Sequence, residues 1–381
     1  MKIVADQSIP VVKSLFDALG DVHLVDGRNI NQVELTDADI LIVRTVTQVN
    51  RALLENTAIK FVASATSGID HIDTEYLDQQ GLGFAHAAGC NARSVAEYVL
   101  SSLFVLMDQK GFNLEEKTVG IVGHGHVGSM VSQLLQVLGI NCLINDPPLQ
   151  QKTGESVYCG LDEIAEADII TLHVPLSSAG MYPTAKLINQ SFLSRLKPDV
   201  TLINTSRGGV IDEDALSKFL EINPESSIVL DVWGNEPVIN TSLLNKIDIG
   251  TAHIAGYSSD ARVMATWSVY CQTCNFFDQN VNHEMIPALP ERDSITLAGD
   301  ESDIDSIPMA VLSSYDVRSD DATMREILDL NEDERSAFFL ELRNNYPIRR
   351  EFSAMNVCIK KGSNSLAHML SELGFIVTAT G

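Results

Sequence analysis

Three glycines in the run Gly123-His124-Gly125-His126-Val127-Gly128 follow directly on the apolar segment Lys117–Val122 and lead into a helical pattern. Strand, glycine turn and helix in that order leave few folds open. The first glycine permits a tight turn, the second lets the backbone approach a ligand, and the third lets the helix close on the strand. The start of such a helix offers unbonded N–H groups and a positive dipole end to a phosphate. The next strand, Asn141–Asn145, runs into Asp146, about 18 residues beyond Gly128, where a carboxylate accepts hydrogen bonds from ribose hydroxyls and repels a 2′-phosphate. The pattern predicts a dinucleotide site that takes NAD in preference to NADP. His124 and His126 read as loop residues, and no metal site is expected.

The periodicity around this loop alternates between two and 3.6 residues. Before it, Lys2–Ala5, Ile40–Val43 and Lys60–Ser64 are strand candidates, and Val11–Leu19 and Arg51–Leu54 have helical spacing. A long helical pattern, Ser94–Met107, opens onto the glycine-loop strand. Asn141–Ile144, Ile169–His173, Thr201–Asn204, Ile228–Asp231 and Ile249–His253 continue a second series. Alternation of this kind builds parallel sheets covered on both faces. The helical stretch 257–277 needs a sheet to pack on and is assigned back to the first domain. After Met285, Pro287, Pro290 and the acid-rich Glu291–Asp305 punctuate the chain, and Met309–Leu312, Glu334–Arg343, Met355–Ile359 and Ser365–Leu373 suggest a small α/β tail. The expected organisation is a discontinuous domain over 1–97 and 257–285, a doubly wound domain over 98–256, and a tail over 286–381.

Charge narrows the partners. The 381 residues hold 51 acids and 26 Lys or Arg, a net charge of −25, which repels nucleic acid and anionic membranes. No signal segment or membrane span is read. The six cysteines are scattered, and Cys271 and Cys274 fall on an apolar helical stripe as core thiols. A cytosolic small-molecule enzyme is the expectation.

Three polar residues sit at the ends of successive strands of the second series. Arg207 follows Thr201–Asn204, Glu236 follows Ile228–Asp231, and His253 follows the strand after that. Ligands of open parallel sheets bind at the carboxyl ends of strands. A guanidinium grips a carboxylate in two places, an imidazole exchanges a hydroxyl proton, and a carboxylate orients the imidazole. Beside a dinucleotide loop, that set points to hydride transfer.

These residues resemble the D-2-hydroxyacid dehydrogenase family, through the glycine loop, His173-Val174-Pro175-Leu176, Asn204-Thr205-Ser206-Arg207-Gly208, Asp231–Pro237 and His253-Ile254-Ala255-Gly256. The resemblance covers roughly residues 1–280. It implies a Rossmann-type NAD-binding domain inserted in a flavodoxin-like substrate domain, with the substrate in the cleft. It implies that Arg207 binds the substrate carboxylate, Glu236 pairs with His253, and His253 is the acid/base. Cofactor contacts are implied at Gly123, Gly125, His126, Val127, Gly128, Asp146, Val174, Thr205, Ser206, Asp231 and Gly256, although Val174 stands where a Thr is common. Ser314–Asp321, Arg349–Ser353, Leu373–Phe375, Arg44–Thr47 and Ala65–Asp70 resemble one branch of that family, which acts on a phosphorylated four-carbon hydroxy acid. That branch implies a homodimer formed through the tail and substrate contacts at Thr45, where Ser is frequent, and at Thr66 and Tyr257. A dianionic phosphate on so acidic a chain needs local cations: Arg44 is the candidate for direct contact, and Arg349 and Arg350 either add charge at the cleft, from their own or the partner subunit, or only make salt bridges in the dimer interface. The rivals are a branch acting on a three-carbon phosphorylated acid, whose longer forms often carry a different tail, and a non-catalytic NAD-sensing protein.

Overall fold

The structure, a computed structural model, describes residues 1–285, 289, 294–297, 303–360 and 364–379. Pro287, Pro290 and much of Glu291–Asp305 lie outside the described residues. The chain forms two compact units, Met1–Asn91 with Ser258–Pro290, and Ala92–Tyr257 with Glu291–Gly381.

The first unit is a five-stranded parallel sheet of β1 (Lys2–Asp6), β2 (Asp21–Val25), β3 (Ile40–Val43), β4 (Phe61–Ser64) and β5 (Gly83–His86), in the order β2-β1-β3-β4-β5. This is the flavodoxin-like order. The central strand Ile40-Leu41-Ile42-Val43 is wholly buried, as a strand covered by helices on both faces must be. The helix Ser259–Phe276 packs its Tyr270 and Cys274 into this core, with Phe16 edge-on to Tyr270 at 5.5 Å. Ser258 caps that helix by accepting from the N–H of Ala261.

The second unit holds β6 (Thr118–Val122), β7 (Asn141–Asn145), β8 (Ile169–Leu172), β9 (Thr201–Asn204), β10 (Ser227–Leu230) and β11 (Ile249–Gly250), all parallel, in the order β11-β10-β9-β8-β6-β7. The chain leaves β6 toward β7 and returns to β8 on the other side, so the loops after β6 and β8 flank a topological switch point. A smaller parallel sheet, β12 (Ile295–Leu297), β13 (Asn356–Ile359) and β14 (Ile376–Ala379), belongs to the same unit in the order β12-β13-β14. One apolar core runs from the Rossmann strands through the helix Ala92–Lys110 to Phe352, Val357 and Leu370 of the tail. That helix crosses the boundary expected at 97/98 and belongs to the second unit from its first residue. It is buried on more than the apolar side that the sequence marks, because Ser94, Glu97, Ser101 and Ser102 are also enclosed. Ser101 Oγ donates to Tyr315 O and accepts from Val317 N, so the tail covers its polar side. Among the described residues no helix is long and apolar enough to cross a membrane.

Candidate active site

The loop after β6 is built by three glycines in three different environments. Gly123 has φ +90°, a region that L side chains rarely adopt. A Cβ on Gly128 would lie 1.9 Å from the carbonyl oxygen of Gly123, so only glycine lets the helix His126–Val137 close on the loop. A Cβ on Gly125 would meet nothing within 4 Å. Two glycines are therefore demanded by the protein itself, and the third leaves open space at the helix N-terminus, where His126 and Val127 form the first turn. Asp146 joins this loop to the end of β7. Its Oδ2 accepts from His124 N at 2.8 Å and its Oδ1 caps the helix Pro147–Thr153 through Leu149 N at 2.9 Å. Open space over a phosphate-binding helix start, with a carboxylate held beside it, fits a dinucleotide. Among the described residues no group of three or more His, Cys, Asp or Glu is gathered for a metal.

Across the switch point, β8 is followed by His173 and Val174. Thr171 Oγ1 lies 2.9 Å from Nε2 of His173 and Thr205 Oγ1 lies 3.3 Å from Nδ1. Desolvation pushes the His173 pKa down to about 3, so this ring stays neutral and serves to join β8 to the Thr205 loop. Val174 packs on the apolar core of the sheet.

The Arg207 turn is folded by Asn204, whose Oδ1 accepts from both Ser206 N (3.0 Å) and Ser206 Oγ (2.8 Å) and whose Nδ2 donates to Arg207 O (3.0 Å). Arg207 Nη1 donates to Ser206 O at 2.8 Å. A Cβ on Gly208 would lie 1.9 Å from the carbonyl of Trp233, so this turn presses directly on the loop after β10. That loop carries Glu236. Its Oε1 accepts from Trp233 N at 3.0 Å, and its Oε2 meets Nδ1 of His253 at 2.7 Å. With the Nδ1 proton assigned to that bond, Nε2 of His253 is the basic nitrogen. The His253 side chain keeps 31% exposure and Glu236 19%, enough for a small molecule to reach the ring.

His253 has φ +56°, uncommon for a residue with a side chain. Asp231, 1% exposed at the end of β10, fixes that backbone. Its own carbonyl accepts from His253 N at 2.7 Å. Its Oδ1 accepts from Ile254 N (2.7 Å) and Thr251 Oγ1 (2.6 Å), and its Oδ2 from Ala255 N (3.0 Å). Gly256 and Tyr257 follow, and Tyr257 Oη accepts from Arg343 Nη2 at 3.1 Å.

In the first unit, Thr45 stands exposed just past the end of β3, beside Arg44. Arg44 Nε donates to Asp6 Oδ2 at 2.8 Å, and Asp6 is fully buried. Thr66 Oγ1 is 2.7 Å from Ser64 Oγ and donates to Gly68 O at 2.9 Å, while Ser64 Oγ lies 3.0 Å from Nε2 of His71. The tail arginines depart from expectation. Arg349 is 4% and Arg350 8% exposed, buried within their own chain. The Arg349 guanidinium donates to Ala255 O and Ser94 O and lies over the Tyr315 ring, so it does not present charge to a phosphate. Sequence reasoning also missed Tyr98 and Thr251, whose hydroxyls meet at 2.7 Å behind Asp231, and the indole Nε1 of Trp233, which donates to Thr251 O at 2.9 Å. Polar residues recurring on a helix otherwise read as apolar were the available signal for Tyr98.

Residues 92–255 match the model for the D-isomer specific 2-hydroxyacid dehydrogenase NAD binding domain, and 288–374 match a domain of unknown function. An erythronate-4-phosphate dehydrogenase of Hahella chejuensis is 43% identical over 378 residues, 98% of this chain and 99% of its own. One from Klebsiella pneumoniae is 44% identical over 378 residues, 98% of each. Among solved structures, the NAD-bound 3-phosphoglycerate dehydrogenase of Entamoeba histolytica superposes with a TM-score of 0.61 at 24% identity, covering 73% of this chain and 95% of its own. The D-lactate dehydrogenase of Aquifex aeolicus, solved with NAD and lactic acid, gives 0.58 at 24% identity over 73% and 96%. At that identity the structures establish the shared fold.

Proposed function

The chain belongs to the erythronate-4-phosphate dehydrogenases, within the D-isomer specific 2-hydroxyacid dehydrogenases, and from that premise we propose its reaction and the residues that perform it. It oxidises 4-phospho-D-erythronate to (R)-3-hydroxy-2-oxo-4-phosphobutanoate, a step in pyridoxal 5′-phosphate synthesis. The observation that carries the mechanism is the 2.7 Å bond between Glu236 and Nδ1 of His253, on strand ends that follow the Arg207 turn. When bound at the glycine loop, NAD supplies the acceptor for the hydride that leaves C2. Arg207 binds the substrate carboxylate and orients C2. Nε2 of neutral His253 takes the C2 hydroxyl proton, and the Glu236 carboxylate stabilises the charge that appears on the ring. Thr45, Thr66 and Tyr257 are assigned to the substrate. Arg44 is assigned to the phosphate through its terminal nitrogens, since Asp6 engages its Nε. Asp146 and the Thr205–Ser206 turn are assigned to the cofactor, as are Val174, Asp231 and Gly256.

The reading also includes a cytosolic homodimer mated through the tail. Met309 (42% exposed), Leu340 (41%) and Ile348 (77%) are large apolar side chains on that tail and support it. Six free cysteines suit a reducing compartment. The deciding experiment offers the purified protein 4-phosphoerythronate, 3-phosphoglycerate and D-lactate, each with NAD and with NADP. We expect kcat/KM for 4-phosphoerythronate with NAD to exceed every other pairing by about a hundredfold or more. Equal use of D-lactate would refute the substrate assignment.

A further inference from the structure

Arg349 reaches the catalytic turn from the tail, inside the second unit. Its Nη1 donates to Ala255 O at 2.9 Å, its Nη2 donates to Ser94 O at 2.6 Å, and its Cζ lies 3.6 Å from the centroid of the Tyr315 ring. Ala255 is two residues past His253. Its N–H is already held by Asp231 Oδ2 at 3.0 Å, so both of its backbone polar groups are fixed, one from β10 and one from the tail. The second carbonyl, Ser94 O, lies in the first turn of the helix Ala92–Lys110. One turn further along, Tyr98 Oη meets Thr251 Oγ1 at 2.7 Å, and Thr251 Oγ1 donates to Asp231 Oδ1 at 2.6 Å. The contacts therefore close a ring, Tyr98, Thr251, Asp231, Ala255, Arg349, Ser94, that begins and ends on one helix. His253, at φ +56°, stands just outside that ring on the Ala255 side. A side chain in that backbone region keeps it only when the surroundings over-determine it.

We propose that Arg349 is a positioning residue for His253, clamping the His253–Ala255 turn to the helix Ala92–Lys110 so that the imidazole meets Glu236. This rests on the assignment of His253 as the acid/base. None of the bonds of Arg349 goes to a reacting group, so its effect passes entirely through the backbone of Ala255. Lysine keeps the charge but has no planar fork to bridge two carbonyls while lying on a ring.

The test compares full-length wild type with Arg349→Lys, using 4-phosphoerythronate and NAD across pH. A slackened turn loosens the Glu236–His253 bond, so the rising limb of kcat should move to lower pH. Alongside it, kcat should fall about tenfold while KM for the acid and the Kd for NAD hold within about twofold and the circular dichroism is unchanged. A merely structural role lowers the active fraction and leaves the limb in place. An unmoved limb overturns the proposal, whatever happens to kcat. If wild type does not turn over 4-phosphoerythronate, the functional reading has failed separately. The downfield NMR resonance of the His253 Nδ1–H then decides, a moved or lost signal in Arg349→Lys supporting the clamp and an unchanged one overturning it. Should Arg349→Lys not fold, Tyr315→Leu removes the ring on which the guanidinium lies and so loosens its hold on both carbonyls while keeping the charge, and the same two outcomes apply.

Discussion

Glu236 divides its two carboxylate oxygens between a backbone N–H and the His253 ring. Burial pushes its pKa up, but the bond and charge of His253, with the Trp233 N–H and the Arg343 charge, outweigh burial and hold it below the ordinary carboxylate value. It is thus ionised wherever the enzyme works. Glu236→Gln keeps the size and removes the charge, so the ring surrenders its proton more readily and the rising limb of kcat/KM should move to lower pH. The rate at the plateau should fall by about 10- to 100-fold, at or below the low end of the ~10²–10⁴-fold that a positioned acid/base contributes, because the imidazole itself remains. A pH profile matching wild type would show that the pair is not functional. At this scale the placement of Arg207, Glu236 and His253 after successive strand ends was legible because each follows a strand in a recognisable run. The burial of Arg349 was not legible, for the opposite reason. Two adjacent arginines in an acidic segment look like exposed charge, and nothing in spacing shows that one of them lies on Tyr315 against carbonyls distant in the chain.

The strand–loop–helix element after β6 separates what the fold needs from what the cofactor needs. Gly128 admits no Cβ because the Gly123 carbonyl is 1.9 Å from where it would sit, whereas Gly125 faces open space. Gly128→Ala should therefore lower the melting temperature of the protein itself by several degrees, the overpacking cost being about 1–3 kcal/mol. Gly125→Ala should melt like wild type without cofactor and lose affinity for NAD by tenfold or more, measured by titration calorimetry. Equal NAD affinity in Gly125→Ala would remove this loop from the phosphate site. Interior strands were readable throughout, and so were the edge strands Asn141–Asn145 and Ile249–Gly250 of the six-stranded sheet, whereas the two edge strands of the first unit were not. Ile40–Val43 and Thr201–Asn204 are buried along their whole length and read as continuous β-formers. Asp21–Val25 and Gly83–His86 lie at the two edges of their sheet, where side chains need not be apolar, and their sequences carry neither a clean alternation nor an unbroken apolar run.

Over the whole molecule, two terms make stability fall as pH rises, and they are separable. The first is the mean field of 51 acids against 26 bases, which acts between exposed charges and is screened by salt. The second is Glu97, fully buried where the tail meets the helix Ala92–Lys110. Its Oε1 accepts from Arg93 Nε (2.7 Å) and Phe352 N (2.9 Å), while Oε2 has no hydrogen-bond partner. Burial raises its pKa to about 7, with Glu351 adding to the rise and Arg93, Arg349 and the Phe352 N–H opposing it. A carboxyl raised above its unfolded value binds its proton more tightly in the folded state. Its contribution is therefore largest below the ordinary carboxylate range and is lost as pH climbs from about 4.5 toward 7. Glu97→Gln cannot ionise, so between pH 5 and pH 8 wild type should lose roughly 1–3 kcal/mol more than the variant in denaturant unfolding. The comparison should be made in 0.5 M salt, where the field of the exposed acids is screened within about 4–5 Å and the difference between the two proteins persists. Parallel pH dependences for wild type and Glu97→Gln would mean that Glu97 is ionised throughout, and that the acidic surface alone sets the response.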